Sequence, residues 1–115
     1  MKNLDVFKEL VVLDIANNHY GSVAHAKKII DQFSKIIKKH KLNSTFKFQF
    51  RNLETFIHKD FKDSDEKYVK RFMSTKLSMK EFSKINNYIK RKKIKSACTP
   101  FDEKSIDAIE DLKFD

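Results

Sequence analysis

Two hydrophobic periods alternate along the chain, and the switches between them mark the elements. Leu10-Val11-Val12-Leu13 is a continuous apolar run. Such a run predicts a strand covered on both faces, here over about residues 10–16. Asp14 interrupts it, and Asn17, Asn18 and His19 make a polar turn. Gly21 is free to take a positive φ, and Ser22 is placed to cap the next helix. From Val23 to His40 the period lengthens. Val23, Ala26, Ile29, Ile30, Phe33, Ile36 and Ile37 form one helical stripe, with Lys27, Lys28, Lys35, Lys38 and Lys39 largely off it. Lysines in the last turn also suit the negative end of the helix dipole.

Asn43 and Ser44 turn the chain into a second strand, Thr45–Arg51. Phe46, Phe48 and Phe50 point one way along it; Lys47, Gln49 and Arg51 point the other. In a barrel the aromatic face would pack on helices and the polar face would look into the mouth. Residues 53–63 look irregular, with Phe56, Ile57 and Phe61 as anchors. Residues 65–75 predict a helix with Tyr68, Val69, Phe72 and Met73 on one face. This excursion reads as an insertion at a strand's C-terminal end, where active-site walls are commonly built. Ser78-Met79-Lys80-Glu81 is a capping box. It opens a helix to about Lys92, with Met79, Phe82, Ile85 and Ile89 inward. Strand three is Ile94–Thr99, ended by Pro100. Asp102 caps a further helix carrying Ile106, Ile109 and Leu112, and residues 112–115 resemble the approach to a fourth strand.

Strand and helix thus follow each other three times, which predicts parallel strands joined by right-handed crossovers. The expected fold class is α/β: a partial TIM-type (β/α)8 barrel, its first three βα units. Three units leave sheet edges bare, and a whole barrel takes about 250 residues. Residues 1–115 are therefore expected to be the N-terminal portion of a barrel, with no second domain. Ligands of parallel α/β folds meet the strand ends that feed helices, so the three strand ends form one candidate site.

Composition narrows the function classes. The 115 residues are 40% hydrophobic and 36% charged, which fits a folded domain rather than a disordered one. One Gly and one Pro exclude flexible linkers. No apolar run approaches the roughly 18 residues of a membrane span. Met1 to Glu9 has no signal-peptide core, so the expected location is the cytoplasm. The single cysteine, Cys98, excludes an internal disulfide. His19, His25, His40 and His58 show no zinc-type spacing. The net charge of +9 can mark nucleic-acid binding. Here the lysines are mixed with acids along helices, which reads as solvated helix faces. No nucleic-acid or membrane partner is expected, because that model gives the polar strand ends no task.

Asp14-Ile-Ala-Asn-Asn-His-Tyr-Gly-Ser22, Phe46-Lys-Phe-Gln-Phe50 and Cys98-Thr-Pro-Phe-Asp-Glu103 occur in this order. Together they resemble the N-terminal part of the sialic acid synthase (N-acetylneuraminate synthase) family, from about residue 9 onward. The resemblance implies a C–C bond-forming transferase that condenses phosphoenolpyruvate with an N-acetylated amino sugar to a nine-carbon keto acid. It also implies a divalent metal, manganese or magnesium, that polarises the sugar aldehyde. An antifreeze-like C-terminal domain and a homodimer complete the family picture.

By the same resemblance, Lys47 matches the lysine that binds phosphoenolpyruvate, and Thr99 the threonine whose hydroxyl contacts phosphate. Gln49 matches a glutamine near the sugar, and Asn18 and His19 the Asn-His pair of the first loop. Asp14, the candidate catalytic acid, stands where better-known synthases have glutamate. It keeps the charge but shortens its reach by roughly 1.5 Å, which points to a divergent subfamily. Plain alternatives stand beside each residue. Lys47 could reach solvent, Thr99 could cap the turn before Asp102, Gln49 could be a satisfied interior amide, and Asn18 and His19 could hold the loop. Arg51 and Arg71 are basic candidates without a family counterpart, and salt bridges to Glu54 or Asp65 are the simpler reading. Cys98 is expected to pack, since no base stands by to activate it. The family's metal-binding histidines and remaining substrate contacts lie on later strands, so no metal ligand is expected in this chain. Alone, the chain is expected to be inactive; the competing reading is a non-catalytic assembly or binding fragment.

Overall fold

The computed structural model describes residues 4–115. A 3-10 turn at Leu4–Phe7 leads into β1 (Val11–Ala16), α1 (Val23–His40) and β2 (Ser44–Phe50). The excursion after β2 holds α2 (Leu53–Phe56), a 3-10 turn at Lys59–Phe61 and α3 (Lys67–Ser74). Then come α4 (Met79–Arg91), β3 (Lys95–Pro100) and α5 (Glu103–Asp111). The strands form one parallel sheet in the order β1-β2-β3. Asp14 lies beside Lys47, Lys47 beside Ala97, and Gln49 beside Thr99.

The alternation in β2 sorts the molecule into two sides. Phe46, Phe48 and Phe50 are buried in one cluster with Ala26, Ile30 and Ile37 of α1 and Phe82, Ile85 and Ile89 of α4. Phe82 serves as the hinge of that cluster, edge-on to Phe48 at 6.4 Å and tilted on Phe50 at 5.0 Å. A polar seam closes the helix side of the sheet at its β3 edge. The Ser96 hydroxyl donates to Asn86 Oδ1 at 2.5 Å, and Asn86 Nδ2 donates to the Leu112 carbonyl at 2.8 Å. The Asp115 amide donates to the Ser96 carbonyl at 2.9 Å, so the last residues do approach β3 as the start of a further strand would. Between the helices, Asp31 accepts from the Tyr88 hydroxyl at 2.6 Å and pairs with Lys92 at 2.7 Å.

Both long helices begin where the capping chemistry places them. Ser22 accepts from the His25 amide, and Ser78 and Glu81 form the reciprocal capping box. Several expectations about burial need correction. β1 is not covered on both faces: Val11 and Val12 are exposed, Val12 at 49%, because β1 is an edge strand with β2 on one side alone. Phe33 and Ile36 of the α1 stripe are exposed beside that edge for the same reason. Met79 is exposed in the first turn of α4, ahead of the sheet contact. Ile106 is exposed on α5, and Phe61, Tyr68 and Met73 are exposed in the excursion. There Leu53 and Ile57 are the buried anchors. Phe48 lies at the centre of the cluster and is fully buried. Phe48→Ala is expected to cost about 3–5 kcal/mol of stability, read as a lowered urea midpoint with an unchanged slope.

Candidate functional site

The polar side of β2 is open at its C-terminal half. Its lower half is covered by the N-terminal turn, where Val6, Phe7 and Leu10 line a cleft with Thr45, Lys95 and Ala97. Asn43 fixes that turn by donating through Nδ2 to the carbonyls of Val6 and Lys8. Above it, on adjacent strands and one face, stand Asp14, Lys47, Gln49 and Thr99.

Lys47 Nζ lies 3.0 Å from Asp14 Oδ2, with both side chains partly exposed. Such a pair is worth about 0–1 kcal/mol in water, so an anionic ligand competes for Lys47 at little cost. The other Asp14 oxygen accepts from the Ala16 amide at 3.1 Å. That bond holds Ala16 at φ +48°, just past a register shift in the β1–β2 pairing. Asp14 therefore shapes its own loop with one oxygen and meets Lys47 with the other.

The loop after β1 divides the residues that sequence had paired. His19 turns inward and is 2% exposed, while Asn18 is exposed. Asn18 lines an edge groove of about 360 Å³ with Val12, Asp14 and Phe33. Its neighbour Asn17 instead joins His19, Gln49, Arg51 and Lys76 around a cavity of about 30 Å³, room for a water or two. Gly21 makes this geometry reachable. Its φ is +71°, and a Cβ there would sit 3.2 Å from the carbonyl oxygens of Ser74 and Lys76. The first loop is thereby seated on the connection between α3 and α4.

Arg51 is the residue whose placement sequence misjudged most. Among the described residues it makes no bridge to Glu54, and Asp65 pairs with Lys70 at 3.0 Å, leaving Arg71 exposed. The Arg51 guanidinium lies over Phe101, Phe72 and Phe56 and donates to Gln49 Oε1 at 2.8 Å. Burial pulls its pKa below the ordinary arginine value. The signal available in sequence was the three phenylalanines in three separate segments, which only folding unites. Thr99 keeps its strand position beside Gln49. The capping of the next helix falls to Asp102, which accepts from the Ser105 amide at 2.8 Å and the Asn52 amide at 2.7 Å. Cys98 faces the helices, and burial pushes its thiol up to about 12, so it stays protonated.

Among the described residues no three His, Cys, Asp or Glu side chains come together. The donors present do not fit a metal centre, and Asp14 already has two partners. Nor is any helix among them long and apolar enough to cross a membrane.

Residues 36–115 match the NeuB family. The chain belongs to the NeuB family. One similar solved structure is a protein named for spore coat polysaccharide biosynthesis, protein E of Chromobacterium violaceum. It is 40% identical, with a TM-score of 0.88, over 94% of this chain and 32% of that one. A second is the N-acetylneuraminic acid (sialic acid) synthetase of Leptospira borgpetersenii in complex with citrate. It is 22% identical, with a TM-score of 0.72, over 92% of this chain and 33% of that one. The present chain therefore spans about a third of the length of each. No curated protein matches. The NeuB relationship agrees with the expected fold: three βα units of a TIM-type barrel, with polar strand ends on one rim.

His19 gives this rim of the NeuB segment a measurable signature. Its Nδ1 accepts from the Gly21 amide at 3.0 Å, so the neutral ring carries its proton on Nε2. Burial, helped by nearby His25, lowers its pKa from 6.5 to about 4. Between those values the unfolded chain binds more protons than the folded one, so stability falls as pH falls. Urea midpoints should drop from pH 6.5 toward pH 4, and His19→Gln should flatten that slope.

Proposed function

We propose that this chain supplies the first three βα units of a synthase joining phosphoenolpyruvate to an N-acetylated amino sugar. In this reading residues 1–115 form the N-terminal portion of the barrel and hold part of the phosphoenolpyruvate subsite. The product is a nine-carbon keto sugar acid of the sialic acid type. The observation that carries the reading is the row on the open face: Lys47 beside Asp14, with Gln49 and Thr99 side by side one pleat further on.

The chemistry suits that row. Phosphoenolpyruvate carries a carboxylate and a phosphate, and Lys47 offers a cation held by nothing stronger than a half-exposed ion pair. The Thr99 hydroxyl can donate to a phosphate oxygen, and the Gln49 amide can meet the sugar. In the overall reaction the third carbon of phosphoenolpyruvate bonds to the sugar aldehyde carbon. Water adds to the second carbon and gives one proton to the aldehyde oxygen; the bond from the second carbon to the phosphate-bearing oxygen then breaks, and inorganic phosphate leaves with the other proton. Asp14 is the candidate acid beside that centre. Its shorter side chain leaves room for a different acceptor from that of glutamate-bearing synthases. The divalent metal of such an enzyme would take its ligands from segments other than this one. A homodimer is the proposed assembly of the complete enzyme.

The bare β1 edge supports a second reading, an assembly fragment that pairs with another chain. Val11, Val12, Phe33 and Ile36 are all exposed along it. Size-exclusion chromatography separates the two, since a monomer at high concentration counts against pairing.

The catalytic reading is tested by placing this segment in the matching third of the Chromobacterium violaceum protein. The chain alone should release no phosphate from phosphoenolpyruvate with any of a panel of N-acetylated amino sugars. In an active chimera, Lys47→Ala should lower kcat/KM for phosphoenolpyruvate at least about 100-fold, and Thr99→Val should have a smaller effect. Full activity of the Lys47→Ala chimera would sink the proposal.

A further inference from the structure

Arg51 has no role in the chemistry above, yet it is one of the most heavily engaged side chains on the rim. Its guanidinium carbon lies 4.0 Å from the ring centre of Phe101, 4.6 Å from Phe72 and 5.5 Å from Phe56. These rings come from the residue after β3, from α3 and from α2. Phe56 also packs on Phe72 at 5.7 Å and on Phe101 at 6.3 Å, so the rings brace one another as well as the cation. Each ring face attracts the cation, most strongly where water is excluded. Three such contacts offset one evident cost, since Arg51 Nε is buried with no hydrogen-bond partner.

The consequence falls on Gln49. A guanidinium can only donate hydrogen bonds. The 2.8 Å contact from Arg51 Nη2 therefore requires an acceptor, and the glutamine amide must present Oε1 to it. The other end of the amide, Nε2 with its two protons, is then turned away from the cage. Gln49 sits half-buried on the open face, beside Thr99 and on the same side of β2 as Lys47. A free glutamine could flip its amide and serve either a donor or an acceptor group of a ligand. This one cannot flip without opposing an arginine donor with an N–H donor.

We propose that Arg51, caged by Phe56, Phe72 and Phe101, is a positioning residue that locks the Gln49 amide in one orientation, so that this point of the rim only donates. Lys47 and Gln49 then offer donors only, Thr99 a hydroxyl that can donate or accept, and Asp14 an acceptor at the β1 end. At Gln49 the row selects an acceptor oxygen of the ligand, such as an amide carbonyl, a carboxylate or a phosphate oxygen. It rejects a group that must donate. The assignment of Gln49 to a ligand contact rests on the proposed synthase function; the lock itself does not.

The lock is read in the full chain, without substrate, from the side-chain amide of Gln49 in 15N-labelled protein. In the wild type its order parameter should match rigid backbone, at about 0.8. Arg51→Met, which keeps an apolar filler among the rings, should drop it below about 0.6, and Arg51→Lys should restore part of the order. Gln49→Glu gives an independent readout in a chain that keeps Arg51. The carboxyl group introduced by that substitution should titrate about one pH unit or more below the ordinary 4.3 of a glutamate. Arg51→Met in the same background should abolish that shift, which a contribution from Lys47 on the same face would leave in place. A mobile Gln49 amide in the wild type, or an introduced carboxyl that titrates at the ordinary value, overturns the lock and leaves the synthase reading untouched. Full activity of the Lys47→Ala chimera beside an ordered Gln49 amide does the reverse.

Discussion

The pleat of β2 sends Phe46, Phe48 and Phe50 into the helix layer and Lys47 and Gln49 to the opposite face. The helix layer can bury only one side of the strand, so the two jobs are assigned by parity. A one-residue slip in register would put a lysine and a glutamine against Ile30 and Ile85, and three phenylalanines into the mouth. The cost of that slip is what holds the polar row in place. The polar row is thus fixed from behind, by a core that Asp14, Lys47, Gln49 and Thr99 do not enter.

The rim is completed by loops that lean on each other rather than on the sheet. The β1 loop folds back through Ala16, Tyr20 and Gly21, all at positive φ. Two of these are not glycine, and each such residue costs about 1–2 kcal/mol of backbone strain. Asp14 offsets part of this by accepting the Ala16 amide, and His19 by accepting the Gly21 amide. The excursion after β2 then provides the wall against which Gly21 sits. Asp102 ties that wall to the end of β3 by accepting the Asn52 amide with one oxygen while capping α5 with the other. Burial alone would raise its pKa, but the hydrogen bonds from Ser105 and Asn52 win and hold it below the ordinary carboxylate range.

Charge plays a smaller part than its total suggests. Most of the excess lysines lie on outward helix faces and in last turns, where the helix dipole favours them. The cations with structural consequences are few. Lys47 meets Asp14, Lys92 joins α1 to α4 through Asp31, and Arg51 gathers three rings. Under the proposed function the open face has a task that a basic surface alone does not give it.

Periodicity and capping chemistry are local properties, and the chain alone determined the elements that depend on them. The bounds of α1 and the reciprocal cap of α4 follow from Ser22, Ser78 and Glu81, and the two faces of β2 from simple alternation. The strand-end residues Asp14, Lys47, Gln49 and Thr99 share a face for the same reason, since parity along parallel strands needs no tertiary information once the register is set. Burial at the edges was not legible, because Val12 and Phe33 read as core by pattern and are bare only where no neighbour arrives. The inward turn of His19 and the outward turn of Asn18 depended on a loop whose shape is set by residues 74–76, far along the chain. Arg51 shows the division most sharply. Its partners Phe56, Phe72 and Phe101 are ordinary aromatic residues in sequence, and only the packing of three separate segments makes them one cage.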